Sequence, residues 1–235
     1  MTEILTLSPS EESDSPTYGF QPRKASRHRQ LLRWRGSTLS DHWRAAALLG
    51  LALGYATLRY NVLKGVPWSD WPAYTANKAL AVGSLLLIAA AAFRLRQPAR
   101  SGTPFLVWAG ALALTHSLLS FALLNPIYYP RLFDAGKLTG VAGLSLTLGA
   151  LLIAGMELGA RRAAGWSSSF RLGSLTVIAF GTGVHAALPA LSTWIEPANW
   201  PGGLPPLTLI SFLIGALTLG SWFYQAPSRA ASQQG

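Results

Sequence analysis

Residues 104–124 read PFLVWAGALALTHSLLSFALL, an apolar stretch of the length that crosses a bilayer core as a helix. One residue in this stretch, His116, does not suit hydrocarbon. An ionisable side chain at membrane depth is costly, so it indicates a functional site when a partner can be named. The only other histidine in an apolar stretch is His185, within RLGSLTVIAFGTGVHAALPALSTWI. The two histidines are therefore candidates for one shared site.

The composition is typical of an integral membrane protein. Of the 235 residues, 50% are hydrophobic and 12% are charged, whereas soluble domains carry about 25% charged residues. The absence of cysteine excludes disulfides and thiolate metal sites. No dinucleotide fingerprint or Walker loop is present. Basic residues do not alternate with aromatic residues on any soluble element, so we expect no nucleic-acid partner.

The apolar segments predict an all-α, polytopic bundle of six transmembrane helices embedded in the lipid bilayer. The six predicted spans cover residues of about 44–63, 76–93, 104–124, 138–158, 171–195 and 207–224. Of the 19 Lys and Arg residues, 14 fall in the N-terminal segment, the second-to-third and fourth-to-fifth connections, and the C-terminal tail. Because positive residues collect on the cytoplasmic side, we expect both termini to be cytoplasmic.

Three regions follow from this division of the chain. Residues 1–43 predict a disordered cytoplasmic tail, first acidic and then basic, and its start lacks the basic, apolar pattern of a signal peptide. Its basic half is interpreted either as a topology signal or as a segment attracted to anionic headgroups. Residues 44–225 predict the transmembrane domain, and residues 226–235 predict a short cytoplasmic tail.

In this topology the third and fifth spans run in the same direction. A rise of 1.5 Å per residue places His116 and His185 at roughly 18 and 21 Å from the cytoplasmic ends of their spans. Two imidazoles at one height on parallel helices can act as axial ligands of a single haem. The small residues Ala109, Ala113 and Gly181, close to the histidines in helical spacing, would leave room for a flat macrocycle. Thr115 and Thr182 are candidate hydroxyl partners of the site.

The segments LTHSLLSF, GKLTGVAGLSLTLGALLIAG and FRLGSLTVIAFGTGVH resemble the ferric reductase-like transmembrane domain family. This family includes the haem cores of ferric reductases and NADPH oxidases, and the haem membrane subunit of the bacterial methionine sulfoxide reductase system. The resemblance covers roughly residues 76–222. It implies about six helices, with one b-type haem whose iron is bound by His116 and His185.

The chain departs from the family pattern in ways that affect the expected function. Two-haem members carry a second pair of histidines, and here those positions hold Thr103 and Leu172. The resemblance therefore implies one haem b, with no catalytic side chain, in a bacterial-type inner membrane. Because no flavin or nicotinamide domain is present, a separate donor, quinol or a reductase, would supply electrons, and an acceptor at the outer face would take them. The chain would then be the electron-transfer subunit of an oxidoreductase.

Other interpretations stay open at the level of sequence. The histidines could be packing residues of a cofactor-free scaffold subunit in a larger membrane complex. They could also form a proton relay or bind a metal other than haem iron. A transporter is less favoured, because the paired broken helices of that class are missing. Five basic residues predicted at the outer face could meet haem propionates or an anionic substrate, or could simply end spans by snorkelling. These residues are Arg59, Lys64, Lys78, Arg131 and Lys137.

Overall fold

The structure is a computed structural model that describes residues 39–97, 102–162 and 165–231, the last seven by their backbone alone. Residues 1–38 of the predicted disordered tail lie outside the described residues. The described chain is an all-α bundle. Its helices are α1 (Leu39–Thr57), α2 (Ala76–Leu95), α3 (Thr103–Ala122), α4 (Gly140–Arg162), α5 (Ser168–Ala187) and α6 (Leu207–Ala231). Two short strands, β1 (Phe133–Asp134) and β2 (Lys137–Leu138), form an antiparallel hairpin between α3 and α4.

Five helical segments are long and apolar enough to cross a membrane, which indicates an integral membrane protein. They are Leu39–Leu63, Trp68–Leu95, Thr103–Ala122, Gly140–Arg162 and Pro201–Tyr224. The first continues α1 through the π-helical turn Leu58–Leu63. The second begins before α2 with the 3₁₀ turn Trp68–Asp70 and the π-helical turn Trp71–Thr75. They correspond to the first, second, third, fourth and sixth predicted spans.

The fifth predicted span corresponds to α5, which has 20 residues and is not among the five. Its serines, glycines, threonines, Arg171 and His185 lower its mean hydropathy. A helix of this length still extends about 30 Å, the thickness of a bilayer core. Six spans therefore remain a prediction, because α5 has the length of a span but is less apolar than the other five segments.

Several helix boundaries differ from those predicted. The first helix begins at Leu39, so the last residues of the predicted 1–43 tail are helical. The last helix continues to Ala231, beyond the predicted end of the transmembrane domain. The fifth ends at Ala187 rather than near position 195, because Pro189 lacks the N–H that a continuing helix needs. Short 3₁₀ turns follow it instead.

Neighbouring helices in sequence pack antiparallel in four of the pairs. In each of these pairs, the start of one helix contacts the end of the next, and the end of the first contacts the start of the second. The contacts are Asp41–Arg94 and Asn61–Thr75 for α1 and α2, Asn77–His116 and Ala91–Gly102 for α2 and α3, Ser145–His185 and Leu152–Gly181 for α4 and α5, and Gly183–Phe212 and Gly173–Trp222 for α5 and α6.

The two histidine-bearing helices run in the same direction, as the sequence predicts. Helix α6 is parallel to α2, since Leu207 packs in one cluster with Ala79 near their starts and Arg96 reaches the carbonyl of Thr218 near their ends. Because α3 opposes α2 and α5 opposes α6, α3 and α5 are parallel. We call the end at which α3 and α5 finish the histidine end.

The core lies between α2 and its neighbours. Leu85, Leu87 and Ile88 of α2 are almost fully buried among small and aliphatic residues of α1, α3 and α5. In contrast, α4 packs mainly on α5, and leucines such as Leu144 and Leu151 are exposed along it. An apolar outer surface of this kind suits contact with lipid tails.

Candidate functional site

His116 is held by the start of the neighbouring helix α2. Its Nδ1 lies 2.9 Å from the side-chain oxygen and 3.1 Å from the backbone carbonyl of Asn77. The Asn77 amide nitrogen donates in turn to Ser120 Oγ at 3.0 Å and to Tyr129 Oη at 2.9 Å. Because both Asn77 oxygens are acceptors, the proton of the neutral imidazole is assigned to Nδ1.

His185 is held in the same way by the start of α4. Its Nδ1 donates to the backbone carbonyl of Ser145 at 2.7 Å. The Ser145 hydroxyl donates back to the carbonyl of His185 at 2.9 Å and lies 3.1 Å from Nδ1. Ser145 is buried, so these bonds form away from solvent. The proton of this ring is likewise assigned to Nδ1.

A glycine on α4 makes room for the ring of His185. A Cβ atom placed on Gly149 would lie 2.9 Å from Cε1 and 3.1 Å from Nδ1 of that imidazole. Contacts this short are repulsive, so any larger residue would displace the ring. Gly149 therefore lets α4 lie directly against the histidine.

The two sites share one feature that matters for chemistry. Each imidazole uses Nδ1 for a carbonyl on an adjacent helix, and within the described residues neither Nε2 has a hydrogen-bond partner. A neutral imidazole in this tautomer presents the Nε2 lone pair, which is the usual arrangement of metal-ligating histidine. The two rings are also near enough for a charge on one to act on the other.

The small residues predicted to line a haem have other neighbours here. Ala109 is fully buried, and its carbonyl accepts a hydrogen bond from Ser84 of α2 at 2.9 Å. A Cβ on Gly181 would lie 2.7 Å from the Leu152 side chain of α4. Helix packing therefore accounts for both small residues, and Ala113 is half-buried. Their role as haem-lining residues stays a prediction.

The two threonines predicted as hydroxyl partners of the histidines make other hydrogen bonds. Thr115 donates to the carbonyl of Ala111, and Thr182 donates to that of Ile178, each within its own helix. Such bonds are the common behaviour of threonine in apolar helices. The closest side-chain partners are instead Asn77 and Ser145, from the helices across the interface, and Ser120 of α3 lies 3.4 Å from the His116 Nδ1.

No protein-family model matches this chain, and no curated protein matches it. The family resemblance of the sequence therefore stays a prediction. Among residues 39–97, 102–162 and 165–231, no three His, Cys, Asp or Glu side chains gather as they would around a polyhedral metal site. A two-histidine haem site does not need such a group, because the porphyrin supplies the other ligands.

Four basic residues gather at the histidine end of the bundle, and we call them the cationic cluster: Arg59, Lys64, Lys78 and Arg131. Arg59 is buried and donates to the carbonyl of Leu204. Arg59 and Lys64 each lie 5.8 Å from the ring centre of Tyr60, and Lys78 lies 5.6 Å from it. Arg131 is near enough for its charge to act on both lysines. Lys64 is exposed but loses part of its hydration to its neighbours, and this partial desolvation, together with the charges of Arg131 and Arg59, lowers its pKa below the ordinary 10.5.

Three aromatic rings surround the ammonium of Lys78. Its Nζ lies 4.0 Å from the ring centre of Tyr74, 5.3 Å from that of Tyr129 and 5.6 Å from that of Tyr60. These are cation–π distances. The cluster is joined to His116, because Tyr129 accepts a hydrogen bond from Asn77, which also holds that imidazole.

The residues that hold the imidazoles were not identified from the sequence. Asn77 is an amide at the beginning of an apolar span, which is a sequence signal of a polar contact inside the membrane, and the structure buries it almost fully. Ser145 and Gly149 carry no comparable signal, because serine and glycine are common in membrane helices. Their role depends on the register of α4 against α5, which only the structure gives.

Proposed function

We propose that this protein is a membrane b-type cytochrome of the ferric reductase-like kind, with one haem held between α3 and α5. His116 and His185 would be the two axial ligands. The carrying observation is the arrangement of their rings: both donate Nδ1–H to a carbonyl of a neighbouring helix, and both leave Nε2 without a protein partner among the described residues. The site chemistry therefore fits a bis-imidazole iron centre.

The protein's own part in this function is to fix and shield the two ligands. Asn77 and Ser145 hold each ring in one tautomer and one orientation, which raises the basicity of the free nitrogen. The apolar helices around them keep the site dry. The haem, when bound, would supply a one-electron redox couple that the side chains themselves lack.

The proposed topology has six spans, with both termini cytoplasmic in a bacterial-type inner membrane. The direction of the helices supports it, since α1 begins and α6 ends away from the histidine end. Arg94 and the pair Arg161–Arg162 also lie away from that end, which agrees with the positive-inside bias. The histidine end is then the outer face, where an acceptor would receive electrons from a separate donor such as quinol or a reductase.

An absorption spectrum tests this proposal directly. The protein would be produced in haem-sufficient cells, purified in neutral detergent, and measured in the oxidised and dithionite-reduced states. We expect a Soret band and, on reduction, sharp α and β bands of a six-coordinate low-spin haem, at about one haem per chain. A colourless preparation that also fails to take up added haemin would refute the proposal.

The alternative, a cofactor-free scaffold subunit, is favoured by one observation: the histidines already bond the helices on either side of them. In that case both rings serve only to join α2 to α3 and α4 to α5. The protein would then co-purify with other membrane subunits in fixed stoichiometry and without haem.

A further inference from the structure

Within the described residues, no acidic side chain pairs with the cationic cluster. Among the described residues, salt bridges join Arg44 and Arg94 to Asp41, and Arg161 to Glu157, and none of them involves the cluster. No Asp or Glu side chain in this part of the chain lies within salt-bridge distance of Arg59, Lys64, Lys78 or Arg131. Four like charges at the edge of a low-dielectric bundle repel one another, so an anion would relieve a cost that the fold leaves in place.

Lys78 has unused hydrogen-bonding capacity at the centre of this cluster. Its ammonium carries three donors, and its described neighbours are the faces of Tyr60, Tyr74 and Tyr129, with no hydrogen-bond acceptor. Ring faces attract a cation but do not accept its protons along a lone pair. A half-buried ammonium in this setting would gain from an oxyanion that accepts directly.

The other members of the cluster supply both access and further charge. Lys64 and Arg131 are exposed, so two of the cations beside Lys78 face the aqueous side. Arg131 offers a planar fork that matches two oxygens of one tetrahedral group, whereas each lysine acts as a point charge. Arg59 is buried, donates from Nη1 to the carbonyl of Leu204 and has no partner at Nε among the described residues, so we assign it a contribution of charge.

We propose that Lys78, Lys64 and Arg131 form a binding site for a phosphate group at the histidine end of the bundle. The site is distinct from the two imidazoles, and its existence does not depend on haem. The phosphate could belong to a soluble anion or to the headgroup of an acidic phospholipid. Both sources present the same oxygens to the same three cations, and the experiment separates them.

The experiment uses the full chain in neutral detergent, with ionic strength held constant by chloride. Thermal unfolding is followed by intrinsic fluorescence while inorganic phosphate is added in one arm and a short-chain phosphatidic acid in another. Short-chain phosphatidylcholine serves as the lipid control, because its phosphate is masked by choline. A ligand that binds only the folded state raises the midpoint in a saturable manner.

We expect saturable stabilisation in at least one arm and, in Lys78→Gln, an affinity lower by about tenfold or more, the size of one lost charge-assisted contact. Lys137→Gln is the matched control, because Lys137 is exposed on β2 near the same loop and outside the cluster. A response to inorganic phosphate identifies a soluble ligand, and a response to phosphatidic acid alone identifies a lipid headgroup. Arg131→Gln, an exposed substitution, provides a second test if Lys78→Gln does not fold.

The proposal is overturned if neither probe stabilises the protein at constant ionic strength. It is also overturned if Lys78→Gln and Arg131→Gln bind phosphate as tightly as the unaltered chain. The same titration in His185→Ala keeps the two proposals apart, since that variant is expected to hold no haem. Unchanged phosphate binding there supports an independent site, whereas its loss would overturn the proposal that the anion site exists without haem.

Discussion

His185 and Ser145 bond each other twice across the interface of α5 and α4. The imidazole Nδ1 donates to the Ser145 carbonyl at 2.7 Å, and the Ser145 hydroxyl donates to the His185 carbonyl at 2.9 Å. The reciprocal pair fixes both the ring orientation and the register of the two helices. Asn77 does the same for His116 from α2. Each proposed ligand is therefore positioned by a helix other than its own.

Replacing either histidine with alanine should abolish stable haem binding, because one axial imidazole would be lost from a buried site. The measurement is the Soret absorbance per protein after purification. His42→Ala is the control, since His42 lies on α1 and accepts a hydrogen bond from Trp108 away from the histidine end. Full Soret absorbance in both His116→Ala and His185→Ala would exclude them as ligands.

Asn77→Ala should weaken haem retention by about 10- to 100-fold, the usual effect of removing the partner of a ligating histidine. The substitution also leaves Ser120 and Tyr129 without their amide donor. The measurement is the rate of haem transfer to an excess of apomyoglobin. Ser117→Ala is the matched control on α3, because the Ser117 hydroxyl bonds only the Ala113 carbonyl of its own helix. Equal transfer rates in the two variants would contradict the positioning role of Asn77.

Gly149→Ala should destabilise the bundle by about 1–3 kcal/mol, because the added methyl overlaps the His185 ring. Gly155→Ala on the same helix should be neutral or slightly stabilising, since nothing lies within 4 Å of its Cβ position and alanine favours helix. Thermal unfolding in detergent, followed by near-ultraviolet circular dichroism, compares the pair. Equal unfolding midpoints for the two variants would show that α4 does not pack on His185 as described.

Asp41→Ala should destabilise the protein by about 3–5 kcal/mol, because it leaves the largely buried Arg94 without its carboxylate. Asp41 is 6% exposed and also pairs with Arg44. Glu157→Ala, which removes the exposed partner of Arg161, should cost no more than about 1 kcal/mol. Denaturant unfolding of both variants gives the comparison, and equal losses would show that burial does not distinguish the two pairs.

Lys64→Gln should leave stability at pH 7 unchanged or raise it in the absence of phosphate. The pKa of Lys64 is lowered by partial desolvation and by Arg131 and Arg59, so its charged form is disfavoured in the folded state. Stability of the unaltered chain should therefore rise with pH between the lowered pKa and 10.5, where the unfolded chain binds more protons.

The difference between Lys64→Gln and the unaltered chain should shrink across that pH range, because the unaltered lysine loses its charge there. Melting midpoints at pH 7 and at pH 10 in chloride buffer give the measurement. A clear loss of stability in Lys64→Gln at pH 7 would mean that an anion already neutralises the lysine or that the repulsion is absent.

The lengths and apolar composition of the segments in the sequence were enough to predict an all-α membrane bundle. Bilayer thickness sets the length of a spanning helix, so the five apolar spans could be predicted from the chain, although their ends differ from the predicted ones by up to eight residues. The direction of α3 and α5, and the placement of both histidines near one end, also followed from counting spans. These properties depend on local composition and on the fact that successive spans of a chain cross the membrane in opposite directions.

The tertiary structure alone decided what the histidines and the basic residues contact. Asn77, Ser145 and Gly149 meet the imidazoles because of the rotation and register of α2 and α4, and many rotations are compatible with an apolar helix. The gathering of Lys78 with Lys64 and Arg131 depends in the same way on how the loops fold over the helix ends. Hydrophobicity drives helices into the membrane without specifying which faces meet, and close packing with hydrogen bonding makes that choice.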